Sequence, residues 1–240
     1  MTITYRVNNG LFAFTDPEAT TIDTLVQNVL TWCEAATDDQ EAEGRVWYAY
    51  AQDLAKQVTV NLRRKGFSID FRTVAAVIAV TSNNMPWDRQ IRVTEPICEA
   101  ILNGEDPKLL GLGVMFSYLD KAARIIDGDM TALSGPKVTV FYHNIIGDYS
   151  KVTVDRHAVR VALNEYTDEN TTNRWVKPDS RARMMQEAAY YIASEIMGDE
   201  PAVVQAIAWT VYRYSNEYRV GLAASKAEKL AVSRARKAAK

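Results

Sequence analysis

A lysine and an aspartate in the stretch from residue 133 to residue 160 have side chains suited to catalysis. Lys137 follows a short turn, Leu133-Ser-Gly-Pro136, and Asp155 follows a Val-Thr-Val segment 18 positions after the lysine. An amine of lowered pKa can attack an electrophilic carbon, and a carboxylate can stabilise a developing positive charge or orient water. The pair predicts an active site. A phosphate or solvent contact is the alternative for Lys137, and a helix N-cap is the alternative for Asp155.

The turn before Lys137 has the composition of a phosphate-binding element. A short glycine-containing turn between two helices points backbone N–H groups and the positive end of a helix dipole at one spot. Such a spot suits a phosphate without base preference, and Gly135 permits a close approach. An ordinary helix-to-helix connection is the alternative. The expected phosphate contacts are Ser134, Gly135, Lys137, Thr139, Arg156 and Arg160.

A second polar group follows a segment that the pattern predicts to be a buried helix. Asp70 is a suitable N-cap for residues 71–81, which are apolar nearly all round from Val74 to Val80. The chain then turns polar from Thr81 to Trp87. Amides exposed at the end of a buried helix are well placed to meet a ligand, and a helix C-cap with a turn is the alternative. The candidates for ligand contact are Asn84, Asn83 and Trp87.

The elements that must position these residues are helices. Apolar residues recur at helical spacing, with caps and stop signals between them, and this pattern predicts an all-α protein of about nine or ten helices without a convincing sheet. The expected helices cover residues 17–36, Val46 to Arg64, 71–81, 87–102, 118–126, 137–146, 156–165, 180–197 and 201–214. Asp16 is expected to cap the first helix, and Val46, Tyr50, Leu54 and Val58 mark the apolar side of the second. Residues 1–15 are expected to be extended, 166–178 to form a loop, and the last eighteen residues to form a basic helix or a frayed tail.

Composition agrees with a compact helical protein. The 240 residues are 48% hydrophobic, enough for a sizeable core, and include only seven prolines and eleven glycines. Cys33 and Cys98 lie in apolar helical patterns without a CxxC, so we expect reduced core residues. His143 and His157 are the only histidines and are too few to build a metal site. No apolar run reaches the roughly 18 residues of a membrane span, and the start lacks a secretion signal, so we expect a cytoplasmic protein with no membrane partner.

Charge is distributed unevenly along the chain. The net charge of −2 disfavours a partner as anionic as DNA, because phosphate neutralisation supplies most nonspecific affinity. Residues 1–50 hold eight acidic side chains against Arg6 and Arg45, whereas residues 226–240 hold six basic side chains against Glu228. The basic end can add nonspecific DNA affinity, or it can be a solvated helix face.

The stretch around Lys137 and Asp155 resembles the helix-hairpin-helix DNA glycosylases of the endonuclease III type. The resemblance lies in Leu-x-Gly-x-Lys, and in the 18 residues from that lysine to the aspartate of Val-Asp-x-His-x-x-Arg-Val. It implies that the hairpin at residues 133–137 grips the DNA backbone and that Asp155 is the catalytic carboxylate. It also implies that Lys137 can form a Schiff base with the sugar.

The resemblance covers roughly residues 70–215. Residues 76–84 are similar to the family's buried helix and amide turn, so Asn84, or else Asn83, would fill the gap left by a flipped base. Residues 118–126 and 208–213 are similar to the helices before and beside the hairpin. We therefore expect an N-terminal helical extension at 1–69, a glycosylase-like helical core at 70–222 and a basic tail at 223–240.

Two features depart from the family pattern. The hairpin has one glycine where the family usually has Gly-x-Gly, and Pro136 removes one backbone N–H, so fewer donors face the DNA. The cysteines that hold an iron–sulfur cluster in many relatives are absent, so no cofactor is expected.

The sequence as a whole predicts a monomeric DNA N-glycosylase acting on double-stranded DNA, with Lys137-dependent lyase activity as a possible addition. One alternative keeps the fold and resembles bacteriophage enzymes that hypermodify thymine in DNA, in which the site attaches a group to a flipped base. The other alternative is a noncatalytic DNA-binding module that retains only the hairpin.

Overall fold

The computed structural model describes residues 2–7, 10–83, 85–165 and 167–215. This part of the chain contains ten α-helices and one antiparallel β-hairpin, so the predicted all-α class is confirmed in its coarse form. Two predictions from the sequence, the role of Asn84 and the basic tail at 223–240, concern residues outside those described.

The elements follow one another along the chain as hairpin strands and then helices. The strands are β1 (Thr2–Val7) and β2 (Gly10–Thr15). The helices are α1 (Asp16–Glu34), α2 (Asp38–Arg64), α3 (Phe71–Thr81), α4 (Trp87–Leu102), α5 (Phe116–Ile126), α6 (Pro136–Ile145), α7 (Arg156–Leu163), α8 (Glu169–Val176), α9 (Arg181–Met197) and α10 (Pro201–Tyr214). Short 3-10 helices lie at Pro107–Leu110 and Met130–Ala132.

Contacts divide the chain into two compact units. Unit 1 joins the chain up to Arg45 with the chain from Val154 onward, and unit 2 runs from Val46 to Thr153. The division predicted from the sequence, with breaks after residues 69 and 222, stays a prediction.

Unit 1 is built around α1, which packs against α7, α9 and α10. The apolar residues of α1 recur at helical spacing and are buried, among them Ile22 and Val29, neither of which is exposed at all. Gly44, in the first turns of α2, allows a close backbone approach to α10, because a Cβ atom there would lie 2.6 Å from the Cα of Ile207. Burial of this apolar face is what holds the helices of unit 1 together.

Unit 2 is built around α3, which packs against α4, α5 and α6. Every side chain from Val74 to Thr81 is buried, as the nearly all-apolar sequence predicted. Asp70 caps the helix, its carboxylate accepting a hydrogen bond of 2.8 Å from the Thr73 N–H. The bounds of α3 and of α4 agree with those predicted from the sequence, and α4 continues through Pro96.

Three local predictions were wrong. The loop expected at residues 166–178 contains α8, which Asp168 caps by accepting from the Thr171 N–H at 2.7 Å. Thr15, not Asp16, occupies the N-cap of α1, and its N–H donates to Glu18 in a capping box. On α2, the predicted apolar positions Val46 and Tyr50 are exposed. The buried positions of that helix include Tyr48, Ala51, Ala55, Val58 and Leu62.

Candidate functional site

The turn before Lys137 ends at a glycine whose backbone conformation would be strained for any other residue. Gly135 occupies the N-cap of α6 with φ of 96° and ψ of 136°, and a side chain there would be strained although the space around it is open. Pro136 fills the first helical position, where its missing N–H has no intrahelical role. Ser134 and Gly135 are exposed, so the start of α6 is accessible to a ligand.

Two of the residues predicted to form the site meet in unit 2. The Lys137 Nζ donates a hydrogen bond of 3.2 Å to the Asn83 Oδ1, although 54 positions separate the two residues. Both side chains are half-buried. A second amine lies at the same turn, because the Lys121 Nζ donates to the Ser134 Oγ at 2.9 Å. The Lys137 side chain is therefore in contact with the amide turn that follows α3.

An aromatic cluster in unit 2, which we define as Trp47, Tyr48, Trp87, Phe141 and Tyr149, was missed except for Trp87. The Trp47 ring centroid lies 5.2 Å from that of Trp87 and 5.9 Å from that of Phe141. Tyr48 and Phe141 are buried, whereas the two tryptophans and Tyr149 are half-buried. The cluster thus has a buried base and a partly accessible rim.

The cluster connects by short segments to the Lys137–Asn83 pair. Phe141 lies one helical turn after Lys137 on the same face of α6. Trp87 begins α4, four positions after Asn83. Trp47 reaches this part of unit 2 only through its contacts with Trp87 and Phe141, which are distant in sequence. Its own sequence position indicates no more than a helix residue. An amine, an amide and flat aromatic surfaces are therefore assembled in one part of unit 2.

Asn144 fixes the segment that leads from α6 towards Asp155. Its side chain is fully buried, and its Nδ2 donates to the backbone oxygens of Asp148 and Lys151, both at 2.9 Å. Its Oδ1 accepts from the Thr153 Oγ1 at 2.7 Å. One amide thus ties down residues 148–153, a role that no local sequence signal indicated.

Asp155 begins α7 in unit 1. One of its carboxylate oxygens accepts from the backbone N–H groups of His157 and Ala158, both at 2.9 Å, so the N-cap role considered for it is confirmed. The side chain is half-buried. The positive end of the α7 dipole stabilises a negative charge at this place. Its proximity to Lys137, and its part in catalysis, stay predictions.

The arginines after Asp155 differ in their surroundings. Arg156 is half-buried. Arg160 is only 8% exposed, and its guanidinium donates to the Thr167 backbone oxygen at 3.2 Å. We had expected both to touch phosphate, and for Arg160 that expectation is corrected, because its side chain lies in the interior and holds the residues before α8. Thr139 is half-buried, with its hydroxyl 3.5 Å from the Leu133 backbone oxygen.

The histidines and cysteines lie in structural settings. The His157 ring packs against Trp209 and Tyr212, with centroid distances of 6.3 and 6.1 Å. The His143 Nδ1 lies 3.8 Å from a carboxylate oxygen of Asp148. Burial raises the pKa of Cys33 to about 12 and that of Cys98 to about 12, so both thiols stay protonated at neutral pH.

Within the described ranges, histidine, cysteine and acidic side chains do not assemble in groups of three or more that would hold a metal ion. Nor does any described helix combine the length and apolar character required to cross a membrane.

Comparison with known proteins gives a family without an assigned activity. Residues 14–216 match the family described as "Family of unknown function (DUF7178)", and the chain belongs to that family. No curated protein and no solved structure matches the chain.

Proposed function

We propose that this member of the family is a DNA N-glycosylase with a helix-hairpin-helix glycosylase-like fold. It would extrude a modified or damaged base from double-stranded DNA and cleave the glycosidic bond of that base. The observation that supports the proposal most strongly is the 3.2 Å hydrogen bond between Lys137 and Asn83. It joins the hairpin lysine to the amide turn after the buried helix, two features that the sequence singled out independently.

The aromatic cluster supplies the chemistry that an extruded base requires. A base that leaves the stack loses its π contacts, and aromatic side chains replace them in enzymes that act on single bases. Stacking on an aromatic side chain contributes about 1–3 kcal/mol per base, which offsets part of the cost of unstacking. Trp47 and Trp87 are half-buried members of the cluster whose rings lie 5.2 Å apart, and they take this role.

The chemical step falls to Asp155 and Lys137. Cleavage of an N-glycosidic bond develops positive charge on the sugar, which the Asp155 carboxylate stabilises, or for which it orients a water molecule. Where Lys137 attacks the sugar C1′ instead, the base leaves with the bonding electron pair. The amine must be neutral when it attacks, and it then gives up one proton, which the departing base takes up. The C1′–O4′ bond breaks as the C=N bond of the protonated Schiff base forms, and O4′ leaves with its bonding electron pair and takes a proton from water.

Backbone contacts at the hairpin hold the DNA. The exposed Ser134–Gly135 turn precedes the positive end of the α6 dipole, and the amines of Lys121 and Lys137 lie beside it. These contacts would carry no base preference, so they position the duplex and leave recognition of the base to the aromatic cluster. Because the net charge is −2, affinity should depend on these few amines, and so few phosphate contacts should give a shallow dependence on salt.

A gel assay on duplexes with one defined base tests the proposal. Uracil, oxidised, alkylated and hydroxymethylated bases are presented to the wild-type chain, and abasic products are revealed by alkaline cleavage. The proposal predicts an abasic product from at least one of these duplexes. A base that changes mass without an abasic product would select the modification enzyme, and tight binding without either product would select the noncatalytic module.

A further inference from the structure

Gln90 joins the two helices that flank the amide turn. It lies in the first turn of α4 and is fully buried. Its Nε2 donates to the Thr81 Oγ1 at 2.8 Å, across to the last residue of α3, and to the Thr94 Oγ1 at 3.1 Å, one turn further along α4. Thr81 immediately precedes the turn that contains Asn83.

The hydrogen bonds of the threonines determine how the Gln90 amide must be oriented. The Thr81 hydroxyl donates to the Val77 backbone oxygen at 2.7 Å, and the Thr94 hydroxyl donates to the Gln90 backbone oxygen at 2.8 Å. A hydroxyl has a single hydrogen, so both threonines can only accept from Gln90. The NH₂ group must therefore face them, and the amide cannot be flipped without losing both hydrogen bonds.

The same orientation leaves a cost elsewhere. The Gln90 Oε1 is buried and accepts no hydrogen bond from the part of the chain that the structure describes. A buried acceptor without a donor destabilises a fold, whereas an apolar side chain of similar shape would avoid that cost. We therefore explain the glutamine at this position by the hydrogen bond that joins α4 to the end of α3, and not by a contribution to global stability.

We propose that Gln90 is a positioning residue for the DNA-facing turn between α3 and α4. By holding the start of α4 against Thr81, it fixes the described residues on either side of the turn, Ser82 and Asn83 at one end and Met85 and Pro86 at the other. The turn in this setting presents the Asn83 amide to Lys137. The positioning role in base extrusion rests on the proposed function, whereas the effect on the turn does not.

Amide hydrogen exchange in the full chain tests the effect on the turn. The Ser82 N–H donates to the Ile78 backbone oxygen at 3.0 Å, and the Met85 N–H donates to the Ser82 backbone oxygen at 3.2 Å, so both amides report on the turn. In Gln90→Met we expect these two amides to exchange roughly five- to tenfold faster, the effect of one lost hydrogen bond. Exchange in the middle of α3 should stay unchanged, and the melting temperature should not fall.

Gln186→Met is the matched control for Gln90→Met. Gln186 is a fully buried glutamine of α9 in unit 1, and neither of its amide atoms has a hydrogen-bond partner among the described residues. Its replacement should leave the exchange of Ser82 and Met85 unchanged.

Two threonine variants separate the bond between helices from the bond within α4. Thr81→Val removes the acceptor on α3 and should accelerate exchange at Met85. Thr94→Val removes only the acceptor on α4 and should not. Equal effects of these two variants would contradict the proposed role of the bond to α3.

Base release then tests the functional part. We expect Gln90→Met to lower base release while its melting temperature is retained, a separation that a merely structural role would not produce. Unchanged exchange at Ser82 and Met85 in Gln90→Met would overturn the inference at once. Faster exchange in Gln90→Met, together with a wild-type chain that releases no base, would support the role in the turn and contradict the proposed function, so the two failures are distinct.

Discussion

The helices α6 and α7 begin only 20 positions apart, and their first turns are built in opposite ways. At α7 the side chain of Asp155 accepts two backbone N–H groups, so the carboxylate satisfies donors of its own helix. At α6 the N-cap is Gly135, which has no side chain to offer, and Pro136 follows it. The backbone donors at the start of α7 are satisfied by its own N-cap side chain. The start of α6 remains accessible to an anion from outside.

Under the proposed function, this difference corresponds to two separate tasks, phosphate binding and catalysis. A phosphate binds best where backbone donors are accessible and no carboxylate competes for them. A catalytic carboxylate works best where its position and its charge are fixed before the substrate arrives. We therefore interpret the N-terminus of α6 as the part that binds the DNA backbone. The N-terminus of α7 is interpreted as the part that holds the catalytic carboxylate.

Among the variants that test the comparison of α6 with α7, the loss of the Lys137 amine should have the largest effect. If Lys137 forms a Schiff base, Lys137→Ala should abolish the adduct that borohydride traps on a duplex with a susceptible base. Lys121→Ala removes the other amine of the same turn and should leave the adduct in place. An adduct that persists in Lys137→Ala would assign Lys137 to phosphate contact alone.

A side chain at the N-cap of α6 should have an intermediate effect. Gly135→Ala forces alanine to a φ of 96° in open space, so we expect a loss of about 1–3 kcal/mol in the free energy of unfolding. We also expect about tenfold weaker DNA binding, equivalent to about 1.4 kcal/mol. Urea denaturation and titration of a labelled duplex at fixed salt measure the two quantities.

Gly128→Ala provides the control for the strain. Gly128 belongs to the same unit, has a φ of 94° and also faces open space, but it lies before the hairpin. It should lose stability and keep its affinity for DNA. Equal loss of DNA affinity in both variants would show that strain, and not the accessible helix start, explains the result.

The start of α1 offers a third case, in which a charged residue of the capping box is half-buried, and its effect should be the smallest. Hydrogen bonds from Arg181, and next from the Thr15 N–H, lower the pKa of Glu18 to about 2. A carboxyl whose pKa falls on folding stabilises the protein above its unfolded-state pKa and loses that effect as the pH falls through the folded-state pKa. The stability difference between wild type and Glu18→Gln should therefore be constant at neutral pH and shrink from about pH 5 towards pH 2. A difference that is independent of pH would show that the ion pair contributes nothing to this helix start.

The sequence predicted those elements whose signals are local. α3 begins after Asp70, α4 begins at Trp87 after Pro86, and α10 begins at Pro201. These starts are predictable because caps and prolines act within a few residues. α8 was missed because its sequence is polar. Asp168 and the contact between the Thr167 and Thr172 hydroxyls stabilise it instead of an apolar face.

The residues proposed for function could be chosen from the sequence only where they carry polar signals of their own. Lys137, Asn83 and Asp155 stood out as polar residues at the ends of apolar segments. Trp47 and Asn144 did not, because their roles arise from contacts between segments that are distant in sequence or from a loop that one amide organises. Arg160 was misplaced for the same reason, since its partner, the Thr167 backbone oxygen, is recognisable only in the folded chain.

Base release by Asp155→Asn tests the central claim most directly. Asparagine is as good an N-cap as aspartate, so α7 should remain folded while the negative charge is lost. Asp168→Asn makes the same change at the start of α8 and serves as the control. We predict that Asp155→Asn releases the preferred base at least about 100-fold more slowly than wild type, whereas Asp168→Asn releases it at the wild-type rate. Release by Asp155→Asn at the wild-type rate would contradict the account.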